Sequence, residues 1–224
     1  MANQRQLKIL LRGVEAWSRW RSHTLVCPDL SGVNLSQALL TPIDFWKTNL
    51  SRATLSKSIL RNSNFSEADL SEANLSEADL RESRFRETDL SGADLSGADL
   101  SKAYLVGANL AGANLSKAIL TGADLAGSTF FGATLKDTIL NGTNLSWANL
   151  EMADLTSAEL DEVHSLEANL SKAILRWCKF RDAKMTSANL SGADLSHADF
   201  SRAELIRASL EKADLNGVIC AKLT

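Results

Sequence analysis

The residue types most able to do chemistry are scattered. Cysteines stand at 27, 178 and 220, and histidines at 23, 164 and 197. Metal binding needs ligands a few residues apart or facing each other across paired elements; nucleophilic catalysis needs a base beside the nucleophile. Neither arrangement is visible. No histidine has a cysteine or aspartate at ligand spacing, and there is no Cys-x-x-Cys, Gly-rich phosphate loop or Ser-His-Asp order. An odd number of dispersed cysteines makes no disulfide framework. The chain is therefore expected to be no enzyme, with no catalytic residue, metal or cofactor.

Carboxylates are more organised. Glu67, Glu72, Glu77, Glu82 and Glu87 recur every five residues, and residues 61–100 hold ten acidic against four basic side chains, a net of −6. Large apolar residues also break an otherwise polar pattern, notably Phe131, Trp147 and Met152. Both groups owe their placement to a repeat.

From residue 26 to 220 the chain advances in steps of five. Of the 39 positions divisible by five from 30 to 220, 36 are Leu or Phe; the exceptions are Ser165, Met185 and Cys220. Two residues earlier, Ala fills 25 of 39 positions. An α-helix cannot use this spacing, because successive leucines would wander by about 140°. A long flat strand fails too, since an odd period sends alternate leucines to opposite faces. A short extended segment followed by a bend does fit: Ala and Leu, two apart, point the same way. Glycines two after the centre, such as Gly92 and Gly97, free the backbone at the bend.

This pattern, as in Ser91-Gly92-Ala93-Asp94-Leu95-Ser96-Gly97-Ala98-Asp99-Leu100, resembles that of the pentapeptide repeat proteins. The resemblance covers 195 of 224 residues. It implies an all-β solenoid: a right-handed quadrilateral β-helix with four repeats per coil and about nine to ten coils. Leu95, Leu100, Ala93 and Ala98 then belong to the structural core. Residues twenty apart would stack. Asn149, Asn169 and Asn189 would form a hydrogen-bonded ladder, whereas Asp69 over Asp89 and Asp79 over Asp99 would be like-charge pairs that invite a raised pKa or a cation but are expected to be solvated and relieved by Arg81, Arg84 and Arg86. Cys178 and Cys220 would both lie inside.

The ends depart from the repeat. Leu7, Leu10, Leu11, Val14 and Trp17 fall on one helical face, with Trp20 at its edge, and Asn3 with Gln6 resembles a capping box. The expected organisation is a helical cap over residues 1–25, of the kind seen in cyanobacterial members, and a repeat domain over 26–224. The far end stops at Leu223-Thr224 without a comparable cap, so its last coil is expected to stay open in a monomer or to pack end to end in a dimer. Ser165, the polar centre, invites a bulge with Leu166 swinging inward.

Hydrophobic residues at 45% and charged residues at 23% exclude wholesale disorder. With 24 basic against 27 acidic residues the net charge is −3, so direct nucleic-acid binding is not expected. No apolar run approaches the roughly 18 residues of a membrane span, and no signal-peptide core is seen, which points away from the membrane and to the cytoplasm. The expected function is that of an interaction module offering a rigid rod to a protein partner that the sequence does not identify, with Phe131, Trp147 and Met152 as its surface. The family resemblance supplies an alternative, since some members imitate duplex DNA and bind DNA gyrase, protecting it from quinolones. The belt of Glu67, Glu72, Glu77, Glu82 and Glu87 would carry that role.

Overall fold

The computed structural model describes residues 2–222. It begins with two short helices, α1 (Gln4–Leu10) and α2 (Val14–Ser22). Beyond them, from Ser31 on, the five-residue units repeat one conformation, except at Thr41-Pro42. The straight part is as short as Ala93-Asp94-Leu95, after which the Leu95 carbonyl accepts from the Ala98 N–H at 3.0 Å across a turn. The residue two after the centre takes positive φ at every described corner except Pro42: +66° at Gly97, but also +56° at Glu77 and +59° at Trp147. Left-handed backbone costs a non-glycine residue about 1 kcal/mol, so packing must impose it at such corners.

Packing does so through a period of twenty. Asp94 bridges Asn114 in parallel, Asp99 bridges Ile119, and the series runs from Asp29↔Asn49 to Asp199↔Ile219. The Leu95 N–H donates to the Asn114 carbonyl at 2.7 Å, and the Asn114 N–H donates to the Ala93 carbonyl at 2.9 Å. Four units thus make one coil, and each coil bonds the next. The pairing consists of isolated bridges; no multi-residue strand or sheet forms among the described residues, because a corner interrupts the extended backbone after each straight segment.

Centres and alanines fill the interior. Ala93, Leu95, Ala98 and Leu100 are fully buried. Phe45, Phe65 and Phe85 form a column with ring centroids 5.5 and 4.8 Å apart. Where Ser or Thr replaces Ala, its hydroxyl finds a backbone acceptor: Ser83 donates to the Leu60 carbonyl at 2.8 Å and Thr88 to that of Phe65 at 2.7 Å. At Pro42, which lacks an N–H, the Thr41 hydroxyl donates instead to the Arg61 carbonyl at 2.6 Å.

Several expectations are corrected. The cap is not one helical face but two helices broken at Gly13, whose φ is +103°. Leu10 and Trp17 are buried and Leu7 and Val14 pack partly against the core, while Leu11, at the break, is 69% exposed. Asn3 does cap α1, accepting from the Arg5 and Gln6 N–H groups. Gln6 does not reach back to Asn3; its Oε1 accepts from the Asp29 N–H at 2.8 Å and so joins the cap to the first coil. Ser165 keeps its register and is buried, and Leu166 stays outside at 37% exposure, because the unbroken ladder around His164 allows no bulge. Cys220 is exposed rather than interior, since no described coil lies over it. Leu223 and Thr224, at the uncapped end, lie outside the described residues.

Candidate functional site

Corners and the residues beside them are the positions free to vary outward. Trp147 and Met152 occupy two successive corners, with φ of +59° and +60°, and are 59% and 54% exposed. Phe131, one coil earlier and directly before Gly132, is 47% exposed. Residues twenty apart share a column. The column of Trp147 continues through Gly127 and Gly107, and that of Met152 through Gly132, Gly112 and Gly92. A Cβ added at Gly112, Gly127 or Gly132 would meet nothing within 4 Å, so no neighbouring side chain covers these corners. The three large side chains therefore border a flat face whose outward residues, Asn109, Ala111 and Thr129, are small.

The sequence singled out the three apolar residues but not the smoothness beside them. The signal was present as glycines recurring at intervals of twenty in two adjacent columns. Leu166 also belongs here, since its carbonyl accepts from the Trp147 N–H at 2.8 Å and its side chain is partly exposed.

The five glutamates stand at five successive corners. Successive corners circle the rod, so Glu67, Glu72, Glu77 and Glu82 point to four sides, and Glu87 returns to the column of Glu67. Basic residues meet most of them: Lys47 lies 3.2 Å from Glu67, Arg52 2.9 Å from Glu72, Lys57 3.5 Å from Glu77 and Arg86 3.2 Å from Glu87. The Trp46 indole N–H and Lys47 hold the Glu67 carboxyl below its ordinary pKa, and Arg52 does the same to Glu72.

Of the arginines expected to relieve the stacked aspartates, Arg81 does so at Asp79. Arg81 grips Asp79 with Nε and Nη2, both at 2.8 Å, and Arg61 adds a second guanidinium. These bonds depress the Asp79 pKa from 3.8 to about 2 instead of raising it. The asparagine ladder is present: Asn169 Nδ2 donates to Asn149 Oδ1 at 3.0 Å and Asn189 Nδ2 to Asn169 Oδ1 at 3.2 Å.

Cys178 is buried and its Sγ–H donates to the Leu155 carbonyl at 2.9 Å; burial pushes the thiol pKa up to about 12. His197 stacks on Trp177 with 4.0 Å between ring centroids, a packing pair rather than a ligand pair. Among the described residues, no group of three or more His, Cys, Asp or Glu side chains could hold a metal ion. No helix among them is long and apolar enough to cross a membrane.

Comparison with known proteins bears on the repeat. A family model described as pentapeptide repeats matches in eight copies, over residues 29–66, 63–101, 93–130, 128–164, 148–186 and 183–219. Among solved structures, HetL from the cyanobacterium Nostoc sp. strain PCC 7120, a pentapeptide repeat protein involved in heterocyst differentiation regulation, is 31% identical; the match covers 94% of each chain with a TM-score of 0.51. A trypsin-treated variant of QnrB1, a plasmid-mediated fluoroquinolone resistance protein, is 21% identical over 87% of this chain and 92% of its own, with a TM-score of 0.48. Rfr23 from the cyanobacterium Cyanothece 51142 is 27% identical over 60% of this chain and 88% of its own, with a TM-score of 0.19. No curated protein matches the chain.

Proposed function

Because the chain belongs to the pentapeptide repeat family, we propose that it is a non-catalytic interaction module: a right-handed quadrilateral β-helix over residues 26–224, capped by residues 1–25, that offers one face to a protein partner. The twenty-residue bridge period supports four repeats per coil, and the two N-terminal helices fit a cap. A stack of this kind offers ordered columns rather than a cleft, which suits binding of another macromolecule.

The observation that carries the proposal is the group Phe131, Trp147 and Met152 at the margin of the glycine-cornered face. Single exposed apolar residues are ordinary, but aromatic and methionine side chains gathered beside a flat surface suit a binding hot spot. The similarity to HetL, over nearly the whole of both chains, supports a regulatory rather than a catalytic role.

A DNA-mimicking modulator of gyrase is the second reading, favoured by the ten acidic side chains of residues 61–100. A mimic needs them unneutralised and on one side. The encircling placement of Glu67 to Glu82 and their basic partners weigh against it.

The test is capture from lysate by the intact protein and by the variant Phe131→Ser/Trp147→Ser/Met152→Ser. A protein held by the first and lost by the second, at unchanged melting temperature, is the expected result. Equal capture by both would overturn the assignment to this surface.

A further inference from the structure

In the stack, the residue before each centre turns both backbone groups toward the preceding coil. The Thr54 N–H donates to the Val33 carbonyl and the Thr54 carbonyl accepts from the Leu35 N–H. In the first coil these groups have no coil to meet, and the cap covers only part of them. Asp29 is covered by α1, its N–H donating to Gln6 Oε1 and its carbonyl accepting from the Asn3 N–H. The Asp44 carbonyl is covered by α2 through the Trp17 indole N–H at 2.7 Å. On the two remaining sides, the N–H and carbonyl of Asn34 and of Leu39 have no partner among the described residues.

The surroundings of this open edge are apolar and basic. Leu39 and Leu11 are each 69% exposed, and a groove beside Asn34 runs between Leu7 of α1 and Leu11 just after it on one side and Gly32 and Val33 of the first coil on the other. Residues 1–28, the cap and its link to the first coil, carry five Lys and Arg against one Glu. Lys8, on the same side of α1 as Gln4, and Arg12 enter no ion pair among the described residues.

We propose that the open N-terminal edge at Asn34 and Leu39 binds an acidic segment of a partner protein, extended along each of these sides and turned at the corner between them, which adds a further layer of bridges to the stack. An unpaired edge is a template for an added strand. A peptide backbone supplies both the acceptor and the donor that Asn34 and Leu39 lack, at the spacing of a bridge. Its apolar side chains meet Leu11 and Leu39, and its carboxylates meet Lys8 and Arg12. A nucleic acid would meet the basic side chains through its phosphates but leave the two leucines unmatched. A second copy would bring its own basic end against this one. The inference concerns a surface remote in sequence from Trp147 and stands independently of that surface's role.

Anisotropy of a labelled peptide of alternating glutamate and valine, titrated with the full chain, tests the proposal. Leu39→Pro and Leu39→Ala form the decisive pair. The Leu39 N–H bonds nothing in the stack, and the Leu39↔Ile59 bridge uses the Leu40 N–H and the Ala38 carbonyl, so both variants keep the ladder. The proline variant is expected to bind about tenfold more weakly than the alanine variant. Lys8→Glu/Arg12→Glu is expected to weaken binding and flatten its salt dependence. Should the proline variant melt early, the same peptide N-methylated along its pairing edge decides the question on the unaltered protein by losing affinity. Equal binding of the N-methylated peptide, tighter binding of a DNA duplex than of the peptide, or a molecular mass that rises with concentration as the edge fills would each overturn it.

Discussion

The indole of Trp17 donates to the Asp44 carbonyl at 2.7 Å while its ring meets Phe45 edge-on at 5.7 Å between centroids. One fully buried side chain of α2 thus both satisfies the Asp44 carbonyl and closes the aromatic column of the first coil. Trp17→Ala is expected to cost about 3–5 kcal/mol, by loss of buried area and creation of a cavity. Trp17→Phe, which keeps most of the area but leaves the carbonyl unmet, should cost about 1–3 kcal/mol. Urea denaturation measures both; equal losses would show that the ring's packing contributes nothing beyond the hydrogen bond.

The Asp79–Arg81 pair makes stability depend on acid. The folded pKa of Asp79, about 2, lies below its ordinary 3.8. Its contribution is therefore complete above about pH 4 and is lost as pH falls through about 2. Much of the guanidinium surface is in water, so the contribution is about 1 kcal/mol. Asp79→Asn should melt earlier than the parent at neutral pH, with the gap closing toward pH 2. A gap constant with pH would contradict the ion pair's role.

Thiol reactivity should separate the cysteines. Cys27 and Cys220 are exposed, whereas Cys178 is buried with its pKa raised to about 12. A thiolate reagent should label the first two in the native protein and Cys178 only after unfolding. Labelling of Cys178 at the rate of the others would mean that the stack opens there.

Ser165 is a buried centre whose hydroxyl makes only a long contact of 3.5 Å with the Lys184 carbonyl. In its column Leu125 and Leu145 are fully or almost fully buried. Ser165→Leu is expected to raise stability by about 1–2 kcal/mol through added apolar burial. A fall in melting temperature would show that Met185, one coil on, already takes the space.

The five-residue period made Leu95 and Ala93 legible as interior because every unit obeys one steric rule, and departures such as Trp147 stood out against it. Relations around the rod were harder to see. The glutamates from Glu67 to Glu87 look like a belt along the chain, yet each corner turns the next one to another side. The partners Lys47, Arg52 and Lys57 stand twenty residues away from Glu67, Glu72 and Glu77. Leu166 was misjudged because one polar centre suggested a bulge, whereas the ladder on both sides holds the register. Asn34 could not have been noticed at all: it fits the motif, and only the incomplete reach of α1 and α2 leaves its backbone open.

The most direct measurement is photo-crosslinking in lysate from two positions, a benzoylphenylalanine at 147 and another at 82. Both are corners, one at the apolar margin and one in the acidic ring. The proposed interaction surface predicts a discrete crosslinked protein from position 147 and none from 82. A partner captured from 82 alone would contradict it and would move the binding surface to the glutamates.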